Sequence, residues 1–421
     1  MTQISHEDIT MKIGLIGKRV PAKTTVTFLL NIPAGGGWGG CEDNLLHHLS
    51  FVDYDAHRVI LMVNHNLLFP EKIRNFGIPV EIVNFPFSLE DTRFWPRILK
   101  MYRLLSSTGT KRVIFVHNIF LQFGLADFLA GFLVSRGHVY SWEVLLAPRP
   151  LQRGEVKSSV RFGIFRGLGL WWYKEMVPII LRGWLSRGIV AISRDVKKRM
   201  VKEYFYPENR VHVVTNGTEP RKYCPDPETR AKMRGQLGFA DEDVIILGVG
   251  RLCKQKRFER AITVFDELCA VDPRVRLILI GDGGLRGELE TLAASLKNSS
   301  RVHFLGFQPD PARYYMMSDI FVLPSESEGF SGAMLEALSS GLISVFTDVS
   351  GVRDVIEDGV NGFVVPQTRE GVREGLIRAI SLSPEERLKM AAAARQDIIK
   401  YFNKESLIPK ALNILGVRSK P

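Results

Sequence analysis

Short runs of β-branched residues alternate with longer helix-like segments along most of the chain, and this alternation constrains the fold more than any other feature. Seven such runs lie in the first half, from "TVTFLLNI" to "RVHVVTN", and six lie in the second, from "VIILGVG" to "GFVV". The pattern predicts βαβ units around parallel sheets. The polar stretch 219–243 between the halves predicts a linker followed by a short helix.

The length of 421 residues is too great for one hydrophobic core, so two domains are expected. We predict an α/β protein of two Rossmann-like doubly wound domains, residues 1–222 and residues 223–398, with residues 399–421 forming a terminal helix. Ligands of such sheets bind beyond the carboxyl ends of the strands. The loops that follow the strands are therefore expected to face one cleft between the domains.

Composition excludes several classes of protein. Hydrophobic residues make up 45% of the chain and charged residues 24%, which is typical of a globular protein. The four cysteines are far apart, which argues against a disulfide scaffold or a zinc knuckle and favours a reducing compartment. No apolar run reaches the roughly 18 residues needed to cross a bilayer, and the polar, acidic start does not resemble a signal peptide. We therefore expect a cytoplasmic protein.

Two acids, Glu328 and Glu336, stand eight positions apart after a run that ends at Pro324. Small residues such as Ser331 and Gly332 at the start of the following helix leave backbone N–H groups accessible to an anion. Glu336 is surrounded by apolar residues, and burying its carboxylate without a hydrogen-bonding partner would be costly. Sugar hydroxyls would be suitable donors. The alternative is a solvated loop acid followed by a helix acid that the helix dipole favours.

This Glu-x7-Glu arrangement resembles the signature of the family-4 retaining glycosyltransferases, which have the GT-B fold. The resemblance implies that Glu328 contacts the donor sugar and that Glu336 binds the ribose of the nucleotide. It also implies that residues 1–222 bind the acceptor and residues 223–398 bind the nucleotide-sugar donor. The helix within residues 399–421 would then cross back to the first domain.

A second motif, "GVGRLCKQKRFERAI", places Arg251 and Lys256 after a strand, where they could neutralise a diphosphate leaving group. The family shows Gly-Arg-Leu and then Lys-Gly, whereas this chain has Arg257 where glycine is usual. The resemblance assigns catalytic roles to Glu328, Arg251 and Lys256, and a fourth to His117. It extends the donor site to Gly250, Phe330, Ser331 and Gly332.

A glycine-rich stretch follows the first strand. Its G-x-G-x-x-G spacing over residues 35–40 would alone suggest a dinucleotide site, but the second run ends in Asn64 and not in an acid. A closer match is Gly39-Gly40-Cys-Glu, which resembles the family's Gly-Gly-x-Glu loop. The resemblance implies that the amides of Gly39 and Gly40 approach the donor phosphate from the first domain. A purely structural turn is the alternative.

His117 ends the run "RVIFVHN". The resemblance implies that this histidine faces the cleft and contacts the donor sugar or the acceptor. A neutral imidazole can donate a hydrogen bond at physiological pH. A structural role at the end of the strand is equally open.

No metal site is predicted. The Asp53-Tyr54-Asp55 triplet fits a metal-binding D-x-D pattern, but it precedes a strand and therefore indicates a surface turn. His47 and His48 lie on a predicted helix without matching carboxylates. We expect no cofactor, because the nucleotide sugar is itself a co-substrate.

Residues 160–222 carry 13 Lys or Arg against 5 Asp or Glu, a net charge of +8 out of the formal +11, and half of the six tryptophans. Tryptophans mixed with arginines and aliphatic residues are typical of interfacial membrane segments. We expect this stretch to contact the anionic inner leaflet. The alternative is that its apolar side chains pack into the first domain while its arginines are solvated. Pro178 is predicted to interrupt or kink any single helix here.

The sequence predicts a retaining, metal-independent glycosyltransferase that moves a hexose from a UDP- or GDP-hexose to a glycan or lipid-linked acceptor in cell-envelope polysaccharide or glycolipid biosynthesis. One alternative is an NAD-dependent oxidoreductase that uses the glycines of residues 35–40. Another is a basic protein that binds nucleic acid or membranes without catalysis. The tryptophans are bunched with apolar residues and are not spread along a polar groove, which argues against nucleic acid.

Overall fold

The computed structural model describes residues 23–30, 40–63, 73, 76–84, 94–117, 124–143 and 170–420, and for residues 40–42, 117 and 170–175 it describes the backbone alone. Two sheets dominate these ranges. The strands of the first sheet are β1 (Thr24–Leu30), β2 (His57–Val63), β3 (Val80–Asn84), β4 (Arg112–His117), β5 (Val139–Glu143), β6 (Gly188–Ala191) and β7 (Val211–Val213). Those of the second are β8 (Val244–Val249), β9 (Val275–Ile280), β10 (Val302–Phe304), β11 (Ile320–Leu323), β12 (Ile343–Thr347) and β13 (Phe363–Val365).

Helices connect successive strands and follow the last one. In the first domain they are α1 (Gly40–Ser50), α2 (Phe94–Ser107), α3 (Leu125–Val134), α4 (Leu170–Leu185) and α5 (Arg194–Lys202). In the second half they are α6 (Pro227–Leu237), α7 (Glu259–Thr263), α8 (Phe265–Val271), α9 (Arg286–Ala294), α10 (Ala312–Met317), α11 (Gly332–Ser339), α12 (Arg369–Ser381), α13 (Pro384–Tyr401) and α14 (Lys404–Ile414). Short 3₁₀ helices span Glu208–Arg210, Ser299–Arg301 and Val352–Asp354.

Both sheets are doubly wound. Their strand orders are β3-β2-β1-β4-β5-β6-β7 and β10-β9-β8-β11-β12-β13, and neighbouring strands pair in parallel. The order reverses between β1 and β4 in the first sheet and between β8 and β11 in the second. These reversals are the switch points at which such sheets bind ligands. The predicted α/β architecture of two Rossmann-like domains is confirmed.

The central strands are buried because helices cover both faces of each sheet, as continuous apolar runs predict. Val26, Phe28 and Leu30 on β1 are fully buried on one face, and Leu29 packs in a separate cluster on the other. In the second sheet, the neighbouring residues Leu247 and Ile246 of β8 likewise pack in two different clusters, one on each face. Each sheet therefore has a hydrophobic core on both sides.

The end of the chain packs on the first domain. Helix α14 contacts β6, and Ser419 forms an antiparallel bridge with Val52. The amide of Asp53 donates to the carbonyl of Arg418 at 2.9 Å. The last helix and the tail that follows it therefore hold the two domains together beside the linker.

Pro178 does not interrupt its helix, so of the two predicted effects, an interruption or a kink, the first is wrong and the second stays a prediction. Helix α4 runs from Leu170 to Leu185 with Pro178 inside it. A proline in a helix interior costs about 3 kcal/mol. Burial of Met176, Ile179 and Arg182 around the proline offsets this cost, because these side chains anchor the helix on the first domain.

Candidate functional site

A cavity of about 510 Å³ lies between the two domains. Its first-domain wall is α5, the helix that follows β6. Its second-domain wall comes from residues 326–328 after β11 and residues 348–350 after β12. The loops that follow parallel strands therefore converge on one cleft, as expected.

Glu328 and Lys256 meet on the second-domain side of this cleft. The Lys256 Nζ atom lies 2.7 Å from Glu328 Oε1, and the Ser325 hydroxyl is 2.5 Å from the same oxygen. The two residues are 72 positions apart and their side chains are largely buried. Charge-assisted hydrogen bonds of this kind hold a carboxylate in a defined position. The structure thus brings together two of the four residues predicted to be catalytic.

Arg257 keeps the loop shape that glycine provides in the family pattern. Its φ of 52° lies in the left-handed region, which glycine adopts without a steric cost. The Arg257 side chain pairs with Glu326, with 2.9 Å between Nε and Oε2. The departure from the expected glycine is therefore accommodated locally.

Arg251 lies at the start of the loop after β8. Its side chain is exposed and makes no hydrogen bond or ion pair with any residue that the structure describes. The loop after β9 approaches this position closely, because a Cβ atom on Gly281 would lie 1.9 Å from the carbonyl oxygen of Gly250. A side chain at position 281 would push the Gly250–Arg251 loop out of place.

Glu336 has partners within the protein. The Tyr315 hydroxyl donates to Glu336 Oε2 at 2.9 Å, and Tyr223 also hydrogen-bonds to this carboxylate. Burial raises the pKa of Glu336, and the hydrogen bond from Tyr315 opposes that rise. Tyr315 and Tyr223 thus supply the hydrogen-bonding partners that the carboxylate was expected to need, and the predicted contact of Glu336 with the ribose stays a prediction.

Three of the predicted donor residues lie at the start of α11, and each has a different environment. The Phe330 side chain is buried and packs against Phe402, so Phe330 can offer a ligand only its backbone. Ser331 caps the helix by accepting a hydrogen bond from the amide of Met334. Gly332 is exposed, with open space where a Cβ atom would be.

Asn216 connects the two domains, a role that the motif analysis missed. Asn44 Nδ2, on α1, donates to Asn216 Oδ1 at 2.7 Å, and Asn216 Nδ2 donates to the Phe330 carbonyl at 3.0 Å. The sequence signal that could have found Asn216 is its position at the end of the run "RVHVVTN", where ligands of a doubly wound sheet bind. Helix α1 begins at Gly40, while Gly39 lies outside the described residues.

His117 is the last residue of β4 and is aligned with Glu143 at the end of β5. The side chain of His117 is outside the described part of the structure. Glu143 is buried and lies 3.1 Å from the Arg182 guanidinium, which also donates to the Tyr206 hydroxyl. An ion pair therefore lies under this end of the sheet, and sequence analysis did not anticipate it.

Asp53 and His48, which sequence analysis rejected as metal ligands, have structural roles. Asp53 Oδ1 accepts hydrogen bonds from the amides of Asp55 and Ala56, which makes this segment a turn. His48 is buried against Trp142, with 4.2 Å between ring centroids. Within the described ranges, no three His, Cys, Asp or Glu side chains cluster as a metal site.

No helix in the described ranges is both long enough and apolar enough to span a membrane.

Residues 229–397 match the family model of the group 1 glycosyl transferases. Among curated relatives, an uncharacterized glycosyltransferase of Methanocaldococcus jannaschii is 27% identical over 237 residues, which cover 55% of this chain and 60% of that protein. The lipopolysaccharide core biosynthesis glycosyltransferase LpsE of Rhizobium meliloti is 30% identical over 191 residues, covering 45% of this chain and 54% of LpsE. The chain therefore spans between about half and three fifths of the length of these relatives.

The solved structure of Anabaena HepE in complex with UDP-glucose has the same overall fold. It aligns with a TM-score of 0.69 and 19% identity, covering 93% of this chain and 99% of HepE. Identity this low supports the fold alone. The chain thus has the GT-B fold, and its residues 229–397 are related to the group 1 glycosyl transferases.

Proposed function

We propose that this protein is a retaining glycosyltransferase that moves a hexose from a nucleoside-diphosphate sugar to a glycan or lipid-linked acceptor. The observation that carries the proposal is the Lys256–Glu328 pair at the domain cleft. Lys256 lies against Gly250, the residue before Arg251, because a Cβ atom on Gly250 would be 3.3 Å from Lys256 Cε. The pair lies within the segment that matches the group 1 glycosyl transferases. The family-4 assignment and its Glu-x7-Glu signature belong to the same proposal.

The diphosphate of the donor would bind near Arg251 and Lys256. Arg251 has no protein partner among the described residues, so its charge is available to a phosphate. Charge develops on the leaving phosphate as the glycosidic bond breaks, and cations already in position stabilise it. Amides at the start of α11, where Gly332 opens onto free space, would supply further hydrogen bonds.

In the proposed reaction, the bond between the anomeric carbon and the phosphate oxygen breaks while a bond to the acceptor oxygen forms on the same face. The leaving phosphate takes the proton of the acceptor hydroxyl. Glu328 orients the sugar, held in place by Lys256 and Ser325. Closure of the cleft excludes water, which would otherwise compete as an acceptor. No metal and no further cofactor has a step in this scheme.

We propose a UDP- or GDP-hexose as the donor; HepE, which shares the fold, was solved with UDP-glucose. LpsE acts in lipopolysaccharide core biosynthesis, which supports a role in building cell-envelope polysaccharide or glycolipid. We propose the cytoplasm as the place of action.

We also propose contact with an anionic membrane surface through residues 160–222, of which residues 160–169 and the side chains of residues 170–175 lie outside the described part of the structure. Helix α2 gives this proposal further support. On α2, Trp95, Leu99 and Tyr102 are 71%, 54% and 42% exposed, and the helix contains no acidic residue. An apolar stripe with basic neighbours is typical of interfacial helices. In the described part of 160–222, Trp184 is exposed but Arg182 is buried against Glu143.

The proposed function is tested first by calorimetry of the purified protein with EDTA present, against UDP, GDP, ADP and NADH. We expect micromolar to submillimolar binding of one nucleoside diphosphate. Binding of NADH alone would favour the oxidoreductase alternative, and the absence of any nucleotide binding would contradict a glycosyltransferase.

The role of Glu328 is tested by Glu328→Gln, which keeps the size of the side chain and removes its charge. We expect release of the nucleoside diphosphate from the donor sugar to fall at least about 100-fold, because the orienting carboxylate is lost. Nucleotide affinity should stay within about threefold, since other residues hold the diphosphate. Glu326→Gln is the matched control, because Glu326 is more exposed and pairs with Arg257. Near-normal turnover of Glu328→Gln would contradict the assigned role.

A further inference from the structure

The first-domain wall of the cavity carries a basic strip that the proposed donor site does not use. Lys198 and Lys202 both line the cavity and lie four residues apart on α5. Residues at this spacing lie on the same helix face. Both side chains are exposed, and neither forms a hydrogen bond or ion pair with any part of the chain that the structure describes.

The acids of the opposite wall are already neutralised within their own domain. Glu326 pairs with Arg257 at 2.9 Å and Glu328 pairs with Lys256 at 2.7 Å. Asp348 accepts hydrogen bonds from both Nε and Nη2 of the Arg353 guanidinium, the shortest at 2.7 Å. None of these three carboxylates therefore depends on the lysines of α5 for its charge balance.

The remaining charges of α5 do not neutralise the strip. Arg199 and Glu203 pair with each other at 3.1 Å. Asp195 is exposed in the first turn, where the helix dipole favours a negative charge. Among the described residues, the cavity lining thus contains two lysines, Lys198 and Lys202, and one acid, Asp195, that have no hydrogen-bond or ion-pair partner.

We propose that Lys198 and Lys202 bind a phosphate group carried by the acceptor. Two ammonium groups on one helix face suit the several oxygens of a phosphate, and the opposite wall contains Glu328, which would orient the donor sugar. The acceptor therefore lies across the cleft from the donor, with its anion on the first domain. This inference rests on the proposed glycosyl transfer and adds a chemical class for its second substrate.

The alternative is that Lys198 and Lys202 bind the donor or stabilise the closed arrangement of the two domains. In that case they would approach the donor diphosphate or the acids of the second domain when the cleft closes. Their replacement would then weaken nucleotide binding. The acceptor reading predicts instead that nucleotide affinity is unaffected.

The experiment uses the full chain saturated with the nucleoside diphosphate that binds best, so that the donor phosphate site is occupied. Inorganic phosphate is then titrated at low ionic strength into the wild type and into the Lys198→Gln/Lys202→Gln variant. The matched control is Lys389→Gln/Lys410→Gln, which removes two exposed helical lysines that do not line the cavity. We expect phosphate affinity to fall about tenfold in the first variant and to be unchanged in the control.

Four results would overturn the inference: no phosphate binding by the wild type, equal loss in both variants, no loss in the first variant, or weaker nucleotide binding in the first variant. Nucleotide binding is measured before phosphate is added, so failure of the proposed function appears as the absence of that first signal. Displacement of phosphate by glucose 6-phosphate or by dihexanoyl phosphatidic acid then distinguishes a sugar phosphate from a lipid phosphate.

Discussion

Two adjacent histidines show how strongly the environment of a single residue depends on the fold. His47 lies partly exposed, 4.0 Å from a Glu219 oxygen, whereas His48 is buried with its Nδ1 atom 2.8 Å from the Asn44 carbonyl. Burial lowers the pKa of His48 to about 3 from an ordinary value of 6.5. The imidazole of His48 is therefore neutral throughout the physiological range.

The lowered pKa of His48 predicts a pH dependence of stability. Between about pH 3 and pH 6.5 the unfolded chain binds a proton at His48 that the folded protein does not, so stability falls as the pH drops below 6.5. The loss approaches about 1.4 kcal/mol per pH unit. In His48→Gln this contribution is absent, so the stability advantage of the wild type over the variant should shrink between pH 7.5 and pH 5.

Urea unfolding of the wild type and His48→Gln at four pH values in this range measures the effect. His212→Gln is the control for the replacement itself, because it removes an exposed histidine on β7. Parallel profiles of the wild type and His48→Gln would show that His48 titrates normally in the folded protein.

At the scale of one element, α2 has two opposite faces with different roles. Its inner face buries Met101 and Leu105, and Arg97 pairs with Asp127 of α3 at 2.6 Å. Its outer face exposes Trp95 and Leu99. An anchored helix with an apolar outer face is suited to lie on a membrane without changing the fold beneath it.

The double variant Trp95→Ser/Leu99→Ser should weaken binding to vesicles that contain an anionic lipid by about tenfold, because each side chain loses apolar burial in the interface. Cosedimentation with phosphatidylglycerol-containing vesicles measures the binding. Leu388→Ser/Ile399→Ser on α13 is the matched control, since both residues are exposed apolar side chains of the second domain. Equal vesicle binding by the wild type and the α2 variant would contradict a role of this helix in membrane binding.

At the scale of the whole molecule, polar contacts beside the cleft join the two domains in the described ranges. Asn216 joins α1 to the Phe330 carbonyl, and the Ser193 hydroxyl lies 3.2 Å from that of Ser350. The amide of Arg194 donates to Asp354 at 2.7 Å. These contacts set the orientation of the first domain relative to the loop that carries Glu328.

Asn216→Ala should lower turnover about tenfold while nucleotide affinity stays within about twofold, because the donor residues lie in the second domain and the relative domain position is what changes. Steady-state rates and calorimetry measure the two effects. Asn298→Ala is the control, since the Asn298 amide bonds to Asp266 within the second domain. A loss of nucleotide affinity equal to the loss of turnover would contradict a role in domain positioning.

The strands and their parallel arrangement could be predicted from the sequence. Each of the thirteen strands in the described ranges coincides with one of the predicted runs, and only β1, β2 and β9 begin one residue earlier, because β-branched runs bounded by polar or glycine-containing turns favour strands through local preferences. The motif residues Glu328 and Lys256 were also identified in this way. The helix N-cap at Ser331 was local as well, and the predicted start of α11 near it agrees with the structure.

What the sequence determined by itself is therefore the set of elements and the residue types at the ends of the strands. The tertiary structure alone decided that Lys256 pairs with Glu328, that Tyr315 and Tyr223 hydrogen-bond to Glu336, and that α5 presents its lysines to the cleft. Pro178 remained inside a helix because packing outweighed its local preference. The physical reason is that strand order and domain orientation follow from the total burial of apolar surface. Contacts between residues distant in sequence depend on this total burial of apolar surface. They do not depend on the local conformational preferences of neighbouring residues.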